Sequence, residues 1–311
     1  MRMNPVYKKE LKMMARSMQL PVLAVVFNSI LTVVAMVVLY CIRQSAIHGG
    51  EPVYQYMVPF YMGMLTIEVC LFCLFVPSTA GGSIAGEREK QTLDILLASK
   101  MTVPGIIVGK LMSCISMALL LGISSLPVLS VIVIYGGIGL GDIYQSIAYV
   151  GFLVLLIGCI GVFCSCCFKK TTFASVASYG VILLMTVGTA LLVLLVNAAY
   201  QLSAGATITD FYFYYGTGIS SVKGLIYIWL FNPAVTYIMV LFGQLGDIGT
   251  IEQFLSALGA SQNVLDHWIT LSILMQLALM GILLILSVKY LDPQNERFRA
   301  GKKVLKKHKR Q

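Results

Sequence analysis

The chain has 311 residues, of which 58% are hydrophobic and 11% charged, against about 45–50% apolar and about 25% charged in soluble domains. A soluble core is excluded: the charges fall as short punctuation between long uncharged runs, the pattern a bilayer imposes on a chain that crosses it repeatedly. The net charge of +9 does not mark a nucleic-acid binder, because five basic residues precede Pro21 and nine lie between Lys289 and Arg310, where they flank apolar runs and act as topology signals.

In residues 1–19, Tyr7, Leu11, Met14 and Met18 recur at helical spacing, with Lys8, Lys9, Lys12 and Arg16 on the other face. That pattern predicts an amphipathic helix lying on the cytoplasmic membrane surface, although a basic leader that only sets topology fits it as well. The apolar run Ser17 to Ile42 is too long for a signal-peptide core and reads as a retained first span.

Seven runs are long and apolar enough to be considered as spans, and an odd number would put the two basic ends on opposite sides of the membrane. The weakest is Gly224 to Gly246, interrupted by Asn232-Pro233 and carrying Tyr227, Trp229 and Tyr237, aromatic types that favour an interface. It is assigned to re-entrant or interfacial helices on the outer face, before the last span. The expectation is an all-α polytopic membrane protein with both termini cytoplasmic. Its six spans lie at about 20–42, 57–86, 105–135, 146–168, 174–199 and 268–290, within a transmembrane domain of residues 20–290. Residues 87–104 form a cytoplasmic loop, 200–267 an extracellular loop with an aromatic run at Phe211 to Tyr215, and 291–311 a basic cytoplasmic tail. Of the 22 Lys and Arg residues, only Arg43 and Lys223 then fall outside.

Glu68 is the one carboxylate inside a predicted span, roughly 16 Å below Met57 at about 1.5 Å of rise per residue. Two readings stay open for it: a polar feature of a translocation path, or a neutral carboxyl bonded to another helix through an amide such as Asn28, Asn197 or Gln276. The loop that follows the second span, Gly86-Glu87-Arg88-Glu89-Lys90-Gln91-Thr92-Leu93-Asp94-Ile95-Leu96-Leu97-Ala98-Ser99-Lys100, places charges first and then Leu93, Leu96 and Leu97 at helical spacing. A short helix with an apolar edge toward the cytoplasm is expected, facing either a partner or the protein's own helices.

The cysteines of Cys164-Ser165-Cys166-Cys167 have no histidine or acid beside them and read as packing residues, not metal ligands. His48, His267 and His308 are far apart in sequence, and no G-x-x-x-x-G-K-[ST] phosphate loop occurs. Neither an enzyme nor a nucleotide-binding chain is expected, and no cofactor or metal on this chain.

The run Gly86 to Lys110 resembles the signature of ABC-2 type transporter permeases, in which a glutamate-arginine-glutamate stretch leads into a threonine-leucine-x-x-leucine-leucine helix and then the next span. The likeness extends to an amphipathic helix before the first span, six spans, a short second cytoplasmic loop at Lys169 to Thr172 and an Asn-Pro break before the last span. The resemblance implies a permease subunit forming an export pathway. Its coupling helix, at about Gln91 to Ser99, would seat in a separate ATP-binding subunit through Glu87, Arg88, Glu89, Thr92, Leu93, Leu96 and Leu97. It further implies ATP and Mg on that partner, a second permease copy or related permease as a dimer partner, and a prokaryotic plasma membrane. Membrane lipids are the simplest partner for the basic tail. Rival readings are a secondary transporter, for which the single intramembrane acid is too few, and a non-transporting sensor or immunity component.

Overall fold

The computed structural model describes residues 5–49, 56–98, 101–136, 139–203, 224–245, 248–258 and 260–292. The aromatic run 211–215, Ser99, Lys100 and the basic tail beyond Asp292 lie outside them. Every element among the described residues is helical. The order is α1 (Pro5–Arg16), α2 (Gln19–Gly49), α3 (Met57–Glu89), α4 (Leu93–Ala98), α5 (Val103–Gly136), α6 (Leu140–Cys167), α7 (Thr171–Leu183), a π-helical turn (Leu184–Gly188) and α8 (Thr189–Ser203). A 3₁₀ helix (Leu225–Phe231), α9 (Pro233–Leu245), α10 (Ile248–Ala257), α11 (Gln262–Leu265) and α12 (Trp268–Leu291) complete it.

Among the described residues, six helices are long and apolar enough to cross a membrane: Leu20–His48, Met57–Glu89, Val103–Ser130, Gly141–Cys167, Thr171–Val196 and Trp268–Leu291. The chain is a multi-pass membrane protein. These helices match the six expected spans, but several overrun them at their ends. Polar residues such as Arg43 and Gln44 continue a helix that an apolar run begins, since a helix satisfies its own backbone wherever it extends. The seventh apolar run breaks as expected: the 3₁₀ helix and α9 are bent by 82° at Asn232.

The described residues pack as two units, the first drawn from those within 5–135, 154–179 and 280–292, the second from those within 136–153 and 180–279. In the first unit, small residues bring helices into backbone contact. A Cβ on Gly161 would stand 2.5 Å from Ala80 Cβ, and one on Gly81 would stand 3.0 Å from Ser175 Cα, so α6 and α7 both lie directly against α3. At the same crossing the Ser165 hydroxyl accepts the backbone N–H groups of Ile84 (2.9 Å) and Ala85 (2.8 Å). Aromatic packing ties α2 to α3, with the fully buried Phe27 ring 5.4 Å from Phe72.

α1 joins this unit by its inner face. Val6 is buried, and Tyr7 Oη lies 2.8 Å from Ser116 Oγ of α5. The helix ends at Arg16, where the Ser17 hydroxyl donates to the Met14 carbonyl at 3.2 Å. Met18 therefore falls beyond the amphipathic face to which its spacing assigned it, and it is exposed. A serine hydroxyl that bonds the local backbone competes with further helical turns.

In the second unit, Asn232 fixes the bend. Its Oδ1 accepts the Ala234 N–H at 2.8 Å, capping α9 with Pro233 at the first helical position. Its Nδ2 donates to the Thr186 carbonyl and to Thr189 Oγ1, both at 2.8 Å. Thr186 lies within the π-helical turn, where the regular backbone ladder is interrupted. Ile226, Trp229, Leu230, Leu255, Leu265 and Trp268 pack around this bend as one apolar cluster.

Candidate functional site

The cytoplasm-directed loop predicted from sequence becomes a tight turn between α3 and α4. The Thr92 N–H bonds the Glu87 carbonyl at 2.9 Å and the Gln91 N–H bonds the Arg88 carbonyl at 3.1 Å, the paired bonds of a Schellman helix end. Such an ending needs one residue in the left-handed region, and Gln91 occupies it with φ 58°. Glycine is the usual occupant, because a Cβ crowds that conformation.

Each residue of the Glu-Arg-Glu stretch reaches a different helix of the first unit. Glu87 Oε1 accepts Lys110 Nζ of α5 at 3.0 Å, and its other oxygen accepts the Thr92 hydroxyl. Lys110 also donates to Glu10 Oε1 of α1 at 2.5 Å. Arg88 Nη1 donates to the carbonyls of Cys166 (3.2 Å) and Phe168 (3.0 Å), closing the C-terminal end of α6, where a cation also suits the helix dipole. Glu89 Oε2 accepts the Thr171 N–H at 3.2 Å and hydroxyl at 2.8 Å, capping α7. The turn is thus clamped to α5, α6 and α7, and through Lys110 to α1.

The Lys110 side chain is 6% exposed and its partners Glu10 and Glu87 are 14% and 17% exposed. Two carboxylates share this one largely buried ammonium, so removing any member leaves buried charge poorly compensated. A cleft of about 430 Å³ opens beside it, bordered by Met14, Ser83, Lys90 and Ser113 as well as the triad.

α4 spans Leu93–Ala98, shorter than the expected 91–99, because Gln91 and Thr92 are consumed in the turn; Ser99 lies outside the described residues. Leu93 is 7% exposed and packs inward, and Leu96 and Leu97 are half-buried. The apolar side chain that α4 presents outward is Ile95, 73% exposed. The exposed edge is thus one residue out of phase with the leucine spacing, since the leucines close α4 against the protein itself. Val103 then starts α5, with the Thr102 hydroxyl accepting the Gly105 N–H at 3.3 Å.

Glu68 does not join this site. It is 4% exposed in α3, and its Oε1 lies 2.5 Å from Ser125 Oγ of α5. Among the described residues its partner on another helix is a serine hydroxyl, a type the sequence reading did not name. No protein-family model matches the chain, and no curated protein matches it significantly. What the site can do is therefore read from its own geometry. Its groups tie a short helix to the neighbouring spans and leave the Ile95 side chain outward. Sequence reasoning missed Glu10, Lys110, Gln91 and Ile95. Lys110 was legible in principle, since it lies inside the predicted span 105–135, where a charge calls for a named partner.

Proposed function

We propose that the protein is the permease subunit of an ABC-2 type exporter, driven by a separate ATP-binding subunit that holds the ATP and Mg. The observation that carries this reading is α4: a one-and-a-half-turn helix with Ile95 and Asp94 outward, mounted on a turn whose Glu87, Arg88 and Glu89 are bonded to α5, α6 and α7, and through Lys110 to α1. Force applied to such a helix is passed to several spans together instead of being absorbed in a loose loop. The sequence resemblance of Gly86 to Lys110 gives the reading its family, and the six apolar helices suit it. In this reading both termini and α4 face the cytoplasm of a prokaryotic cell, the bent pair of the 3₁₀ helix and α9 lies on the outer side, and a second permease completes the pathway.

The test is co-purification from detergent after co-expression with the ATP-binding protein encoded beside it. Wild type is expected to retain a nucleotide-hydrolysing partner, and Ile95→Asp to lose it while inserting and melting normally. Ile95 is the residue to change because it is exposed; Leu93 and Leu96 help to seat α4, and altering them confounds docking with folding. Retention of the ATPase by Ile95→Asp would overturn the assigned docking edge, and absence of ATPase from wild type would overturn the pairing.

A further inference from the structure

Three polar atoms of α12, all within the second unit, have no hydrogen-bond partner among the described residues: Trp268 Nε1, Ser272 Oγ and Gln276 Oε1. Their residues are 1%, 0% and 0% exposed. They recur every four positions and so lie in line along one face of the helix. Two contacts identify what that face meets. Trp268 belongs to the cluster around the bend, and Gln276 Nε2 donates to the Leu230 carbonyl at 3.4 Å and to Thr236 Oγ1 at 3.1 Å. The face is turned to the bent pair of the 3₁₀ helix and α9.

We infer that this face of α12 binds a file of internal water molecules that runs from Trp268 to Gln276, about 12 Å at about 1.5 Å per residue. Four residues of helix rise about 6 Å, close to the span one water oxygen bridges with two hydrogen bonds of about 2.8 Å. The donor order is consistent along the line. The indole N–H donates to a first water, which donates to Ser272 Oγ; the Ser272 hydroxyl donates to a second water, which donates to Gln276 Oε1. From there the direction continues in the protein itself, as Gln276 Nε2 donates to Thr236 Oγ1 and that hydroxyl donates to the Asn232 carbonyl at 3.3 Å.

Water suits the site better than a larger or charged ligand. The four side chains along the line, Trp268, Ser272, Gln276 and Thr236, are neutral and buried, so a charged ligand would meet no counter-charge there. In a membrane each unsatisfied polar group is costly, and an internal water needs two to four polar partners, which the line supplies. The inference does not depend on the export reading, because it concerns how the bend at Asn232 is solvated whatever the protein carries.

The chain has two tryptophans, so Trp229→Phe makes Trp268 the only indole reporter. In nanodiscs its fluorescence is expected to be that of a hydrogen-bonded indole, to change on transfer to D₂O, and to shift to the blue when Ser272→Ala is added. The emission of an unbonded indole, indifferent to D₂O and to Ser272→Ala, would overturn the inference. A second measurement uses the otherwise unaltered protein: Ser272→Ala is expected to lower the melting temperature, because it interrupts the file and strands its neighbours. A melting temperature equal to or above that of wild type would overturn the file, since it would mean that the hydroxyl had no partner to lose.

Discussion

Lys110 of α5 and Glu87 of α3 meet at 3.0 Å with the lysine side chain 6% exposed, and the same ammonium holds Glu10 of α1. Burying a lysine near the membrane is unfavourable unless the surrounding groups answer its charge. Lys110→Met removes the ammonium that pairs with both of these largely buried carboxylates and is expected to lower stability by about 3–5 kcal/mol. Replacing all three charges together, as Glu10→Gln, Glu87→Gln and Lys110→Met, removes the uncompensated charge and is expected to recover most of that loss. Thermal unfolding in detergent decides it. Equal destabilisation of the single and triple variants would show that the contribution of this cluster is packing and not ion pairing.

Gln91 holds a backbone conformation that favours glycine, with φ 58°. Gln91→Gly is expected to stabilise the protein by about 0.5–1 kcal/mol, and the β-branched Gln91→Val to destabilise it by more than that. The melting temperatures of the two variants should lie on opposite sides of wild type. If glycine lowers the melting temperature, contacts of the glutamine side chain outweigh the backbone strain.

Glu68 and Ser125 join α3 to α5 through a single proton-sharing contact. The Ser125 hydroxyl has one proton and two acceptors in reach, the Gly122 carbonyl at 2.8 Å and Glu68 Oε1 at 2.5 Å. Both contacts are satisfied when Glu68 is neutral and donates to Ser125, which donates to Gly122. Glu68→Gln keeps a neutral donor of the same length and is expected to change stability by less than about 1 kcal/mol, whereas Glu68→Ala adds a cavity to the lost bond and is expected to cost about 2–4 kcal/mol. If Glu68→Gln abolishes transport in reconstituted vesicles while its melting temperature is unchanged, the carboxyl serves the transport path and not the packing of α3 on α5.

The spans were legible because a bilayer imposes length and apolarity on local sequence, so the spans expected from Leu20, Met57 and Trp268 begin within a residue of α2, α3 and α12. The break at Asn232-Pro233 was legible for a similarly local reason: proline at the first helical position and asparagine before it together specify a helix start. The phase of α4 was not. Leucine spacing indicates an apolar edge, but only the packing of the first unit settles that Leu93 turns inward and Ile95 outward. The separate destinations of Arg88 and Glu89 were hidden for the same reason, as their partners Cys166, Phe168 and Thr171 lie about 80 residues along the chain and are brought near where α6 and α7 lie against α3 at Gly161 and Gly81.

Asn232 supplies the last prediction. It combines two tasks in one amide: its oxygen caps α9 at Ala234, and its nitrogen reaches Thr186 and Thr189 across the π-helical turn. Removing the cap alone costs about 0.5–2 kcal/mol, and stranding the Thr186 carbonyl adds about 1–3 kcal/mol, so Asn232→Ala is expected to lose about 1.5–5 kcal/mol in total. Asn232→Asp separates the tasks. The carboxylate still accepts the Ala234 N–H but has nothing to donate to Thr186, and it sets a charge at a residue that is 1% exposed. It should therefore be no more stable than Asn232→Ala despite its intact cap. A melting temperature of Asn232→Asp near wild type would mean that capping alone holds the 82° bend, and that the contact to the π-helical turn is incidental.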